Sequence, residues 1–213
     1  MSYEIHHMFA TPLLTHKNFL PQEYFDELIA YSLAEEYESI PNADGKVRAT
    51  VSKNFLKKLP WLKEEIIETF KEYARNILRV DPSIDFKIGS SWVSLTDPGH
   101  ESKDHTHANY YYSGCFYLSD DPSSIDFSLG SYIYNFHERF LFKYAEVNEY
   151  NSNRISYHGE KNEILFFPSH VKHRISKNTS DTPRYSLAFN IHPVGRYGML
   201  DSSIHVDIIE DID

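Results

Sequence analysis

The chain has 213 residues, 41% hydrophobic and 15% aromatic, enough for one packed domain and against disorder. Its formal net charge of −10 speaks against a general nucleic-acid or lipid-surface role, because a phosphate backbone needs a basic face. The one cysteine, Cys115, excludes an internal disulfide framework and fits a reducing cytoplasm.

In chain order, "MSYEIHHMFATPLL" lacks a basic stretch followed by an apolar one and does not read as a signal peptide. No apolar run approaches the ~18 residues of a membrane span. "FLPQEYFDELIAYSLAEEYES" places Phe25, Leu28, Ile29 and Leu33 at helical spacing, with Pro21 suited to a helix start. "LPWLKEEIIETFKEYARNIL" repeats the pattern with Leu62, Ile66, Phe70, Ala74 and Ile77. Both helices are expected to cover a sheet. After "VDPS" at 80–83 the period changes to that of strands, expected at 86–96, 110–119, 124–129, 139–147, 163–169, 172–178 and 184–194. Helices followed by a run of strands predict a helix-backed barrel or sandwich. The acidic end "VDIIEDID" is read as an exposed end without a role.

Two places carry chemistry. His105 and His107 would face the same way on a strand, a usable metal-ligand geometry, although a chain with twelve histidines yields roughly one such pair by chance. In "EILFFPSHVKHRISKNTSDTPRYSLAFN" an apolar strand ends, His173 follows on the next, and Arg184 opens the last. On that last strand Arg184 and Ser186 share a face, while Tyr185, Leu187, Phe189 and Ile191 form the apolar one. A guanidinium fork beside a hydroxyl suits a carboxylate. Asp104 and Glu101 are nearby acids, but Asp104 is one residue off the needed parity, so His107 is the preferred third ligand. His170 is expected at the rim, and His6, His7, His16, His137, His158, His192 and His205 on the surface or in packing. Cys115 reads as buried and inert.

The motifs "SWVSL", "HTHANYYYSGCFYL", "ILFFPSHVKHRI" and "RYSLAFN", over roughly residues 88 to 192, resemble the iron(II)- and 2-oxoglutarate-dependent oxygenases. They look most like the prolyl-hydroxylase-related branch common in marine bacteria and their phages. The resemblance implies a mainly β fold, a double-stranded β-helix (jelly roll) backed by N-terminal α-helices, in one oxygenase domain over 1–213. Within it 1–83 would be helical support, 84–194 the jelly-roll core and 195–213 a C-terminal tail. It further implies that His105 and His173 hold Fe(II), and that Arg184 and Ser186 bind the C5 carboxylate of 2-oxoglutarate. Tyr117 falls where related hydroxylases place a tyrosine on that carboxylate; as a residue, it reads equally as a core aromatic. The family's acidic ligand is replaced here by His107. The implied activity converts 2-oxoglutarate and O2 to succinate and CO2 while oxidising an unknown substrate, a small molecule or a peptide. The segment from Asp120 to Lys161 is expected at the site mouth. Two other readings stay open: a cupin-like three-histidine metalloprotein, isomerase or dioxygenase, and a non-catalytic binding module on the same fold.

Overall fold

Two antiparallel sheets face one another, and two helices cover the outer side of the larger one. The structure is a computed structural model that describes residues 4–7, 10–40, 46–120, 123–128 and 143–208. In chain order the elements are β1 (Leu14–His16), α1 (Gln22–Leu33), β2 (Tyr37–Ser39), β3 (Val47–Thr50), α2 (Pro60–Asn76) and β4 (Asp85–Thr96). Then come β5 (Tyr112–Tyr117), β6 (Ile125–Ser128), β7 (Arg154–Tyr157), β8 (Ile164–Pro168), β9 (Lys172–Ile175), β10 (Arg184–Tyr197) and β11 (Ile204–Val206). The large sheet runs β1-β8-β5-β10-β4-β3-β2, with β11 paired to β10; the small one runs β7-β6-β9.

Alternation along β10 and its neighbours separates the two sides. Leu187, Phe189 and Ile191 point outward with Phe116 and Phe166 into the core under the helices. Phe70 of α2 is fully buried there, with ring centroids 5.0 Å from Phe86, 5.1 Å from Tyr112 and 5.9 Å from Phe166. Burying one such ring contributes about 2 kcal/mol. Pro60 opens α2 at its first turn, where its missing N–H costs nothing. A second, smaller cluster of Cys115, Tyr117, Ile125, Leu165 and Phe167 lies between the sheets.

Several expectations need correction. Leu33 is 62% exposed: α1 ends at this residue, and its buried stripe is Phe25, Leu28 and Ser32. The region 1–83 is more than helical support, since β1, β2 and β3 join the large sheet. Likewise 195–213 does not begin as a free tail, because β10 runs on to Tyr197 and pairs with β11. Of the strand expected at 139–147, residues 139–142 lie outside the described residues, and 143–147 are irregular with Val147 exposed. Local side-chain bonds win there: Asn148 Oδ1 accepts from the Tyr150 N–H, and Asn151 Nδ2 donates to the Glu146 carbonyl. β7 takes the place beside β6 instead. Strand parity over 110–119 would put Tyr111 on the face of Ser113, Cys115 and Tyr117, but it precedes β5 and stacks on Phe86 instead.

Candidate metal centre and anion pocket

The turn between β8 and β9 carries the chain from the large sheet to the small one. Val171 N–H donates to the Pro168 carbonyl (3.0 Å), and β9 begins at once. His173 on β9 thereby faces inward, buried against Phe167 at 4.6 Å between ring centroids. The segment 105–107 is stitched alongside. His105 and His173 exchange both backbone hydrogen bonds (2.9 Å each), and His107 N–H donates to the Ser169 carbonyl (3.0 Å).

These connections bring one ligand nitrogen from each of His105, His107 and His173 within 4.8 Å of one another. Modest ring rotations let such a set meet one ion with bonds of ~2.1 Å. Two tautomers follow from geometry. Nδ1–H of His105 donates to the Lys103 carbonyl (2.8 Å), and Nδ1–H of His173 to that of Val171 (2.9 Å). Each Nε2 then carries a lone pair toward the centre. Burial, with the neighbouring imidazoles, holds His173 down at about 3 and His107 at about 4, so both imidazoles are neutral at neutral pH. The donor set suits iron and other late divalent metals, and it is uncharged.

The nearby acids turn outward. Asp104 pairs with Lys172 (3.3 Å) and Arg154 (3.8 Å), and Glu101 with Arg174 (3.7 Å). His170 is exposed and stands outside the cluster.

A second group lies on the inner face of the large sheet. Ser186 of β10 is opposite Tyr117 of β5 on one side and Ser94 of β4 on the other, and Arg184 is opposite Thr96. Arg184 is 2% exposed and sets its guanidinium carbon 5.3 Å from the centre of the Tyr117 ring. The Tyr117 hydroxyl is buried and makes no hydrogen bond among the described residues. Leaving a hydroxyl unsatisfied costs on the order of 1–3 kcal/mol, so the pocket fits a polar group from outside the chain. Burial raises the Tyr117 pKa, which keeps the hydroxyl protonated as a donor. Burial also pushes the Cys115 thiol up, with Arg184 and a hydrogen bond to Ser186 acting the other way, so it stays unreactive.

Two participants escaped the sequence reading. Trp92 stands on the inner face of β4 with its ring 5.9 Å from that of His107, and its Nε1–H donates to Ser94 Oγ (3.1 Å). Gly159 lies against Tyr117: a Cβ there would sit 1.9 Å from a Tyr117 ring carbon. Gly159→Ala is therefore expected to displace Tyr117 and weaken anion binding in its pocket while metal retention stays at the parent level. Paired calorimetric titrations of metal and anion check this.

Residues 90–190 match the protein-family model described as "Putative 2OG-Fe(II) oxygenase". The fold is shared with a 2OG-Fe(II) oxygenase family oxidoreductase from Burkholderia pseudomallei (TM-score 0.62, 9% identity, covering 85% of this chain and 84% of that one). It is shared too with a Pseudomonas putida prolyl-4-hydroxylase (TM-score 0.58, 14% identity, 86% and 93% covered). A third is HygX from Streptomyces hygroscopicus, solved with nickel and 2-oxoglutarate (TM-score 0.58, 11% identity, 86% and 83% covered). Among curated proteins, none matches this chain. Over residues 90–190 the chain is thus similar to the 2-oxoglutarate- and iron(II)-dependent oxygenases, and it shares the jelly-roll fold of the solved ones.

Proposed function

We propose that His105, His107 and His173 hold the iron, that Arg184, Ser186 and Tyr117 hold the distal carboxylate of 2-oxoglutarate, and that the reaction is a hydroxylation. The observation that carries the assignment is the unsatisfied, buried Tyr117 hydroxyl beside Arg184 on the inner face of the large sheet. The hydroxylase reading draws support from the similarity to the prolyl-4-hydroxylase.

Bound iron(II) and 2-oxoglutarate supply the oxidising chemistry, in which O2 and the cosubstrate give succinate, CO2 and an oxidised substrate. The chain does the rest. Arg184 offers its planar fork to the carboxylate, and Ser186 and Tyr117 add hydroxyl donors. Leu165, Phe167 and Ile125 line the space between the sheets and keep water from the reacting centre. Trp92 is placed beside His107 to meet the substrate. The whole chain, 1–213, acts as one oxygenase domain on a small molecule or a peptide, with no nucleic-acid partner. A cytoplasmic location fits its lone cysteine. Among the described residues no helix is long and apolar enough to cross a membrane.

Oxygen-free titration of the iron(II) protein with 2-oxoglutarate is expected to raise a visible metal-to-ligand absorption band that saturates at one equivalent. No band in the parent protein, with iron shown to be bound, would overturn the assignment.

A further inference from the structure

Four polar side chains cross the inner floor of the large sheet in one chain of hydrogen bonds. Ser113 Oγ donates to Asn190 Oδ1 (2.7 Å), and Asn190 Nδ2 donates to Ser90 Oγ (3.0 Å). The Ser113 proton is thereby used, so Ser169 Oγ is the donor in the 2.8 Å contact between Ser169 and Ser113. Ser113, Ser169 and Asn190 are buried, in a place where apolar side chains would pack at lower cost. The chain links β4, β10 and β5 and ends on the turn between β8 and β9.

That turn is what holds His107. The rings of His105 and His173 are each locked by Nδ1–H to a carbonyl two residues earlier. The ring of His107 makes no hydrogen bond among the described residues, and its backbone N–H is anchored on the Ser169 carbonyl. Ser169 is itself fixed by its own N–H, which donates to the Tyr111 carbonyl (3.1 Å), and by its hydroxyl on Ser113.

We infer that Ser169, Ser113 and Asn190 are positioning residues for His107, acting through the Ser169 carbonyl to aim the one imidazole that lacks a bond of its own. This rests on the proposed role of His107 as a metal ligand. Supports one step away from the ligands of a metal typically matter by 10- to 100-fold in affinity.

The test is a double-mutant cycle read by Co(II) binding, with competition by a chelator, in full-length protein under oxygen-free conditions. Ser113→Ala is expected to weaken Co(II) about tenfold in the parent and to have no effect in a His107→Ala background. Ser169→Ala, which leaves the Ser113 to Asn190 bond intact and threatens the fold least, is expected to do the same. Metal-free melting temperatures report any cost to the fold separately, and the Co(II) ligand-field spectrum should shift in both variants. Parent-level affinity in Ser113→Ala and Ser169→Ala, or an equal loss with and without His107, would overturn the positioning role alone. Unchanged affinity in His107→Ala by itself would remove the ligand assignment and the positioning role with it.

Discussion

Arg184→Ala is expected to lower the apparent affinity for 2-oxoglutarate about a hundredfold while leaving metal content unchanged. Arg184 is the cation of the pocket, and 98% of its surface is withdrawn from water by the barrel wall. A dicarboxylate entering the altered pocket would shed its own water and find Ser186 and Tyr117 hydroxyls but no positive charge. Breaking a desolvated, hydrogen-bonded charge pair costs on the order of 3 kcal/mol, which is about two decades in affinity. Arg184→Lys should recover only part, because an ammonium restores the charge without the two parallel N–H donors. Calorimetry on metal-loaded, oxygen-free protein reads both effects. Equal binding in the parent and Arg184→Ala would place the carboxylate elsewhere.

The second large effect concerns the ion. His105→Ala and His173→Ala should each largely abolish iron retention, since each removes one of three protein donors and leaves two. The losses should differ in their side effects. His173 is buried on β9 against Phe167, so its truncation also opens a hole and should lower the melting temperature of the metal-free protein. His105 is exposed, and its truncation should leave that temperature nearly unchanged. His107→Asp tests the unusual third donor. It adds an anionic ligand and should bind iron(II) at least as tightly as the parent. Metal analysis after gel filtration, with melting curves alongside, would settle all three; near-parent iron in His105→Ala or His173→Ala would contradict the site.

What was legible in the sequence follows the strength of the local signal. β10 alternates over many residues, so the face shared by Arg184 and Ser186 could be read before any coordinates. Spacing suggested the pairing of His105 with His107 and the family resemblance added His173, although residues 104–107 are not a continuous strand. Asp104 does point away, and a long-range partner, Lys172, holds it there. Short edge strands such as Tyr37–Ser39 have too few residues to show a period. β7 is four residues among Asn and Ser, while the more apolar stretch at 143–147 stays irregular. Gly159 matters only because Tyr117 arrives against it from another strand, and no local pattern encodes such an encounter. The same is true of Ser169, whose weight comes from Ser113, 56 residues away.

The crossing turn at 168–171 divides labour between the two walls. The three histidines hang from β9 and the segments stitched to it, whereas Arg184, Ser186 and Tyr117 stand on the opposite sheet. On the proposed assignment, a cosubstrate held by the metal at one end and by Arg184 at the other would act as a rivet through both walls. The loaded protein should breathe less than either half-loaded form, with the slowest amide exchange appearing only when metal and 2-oxoglutarate are present together.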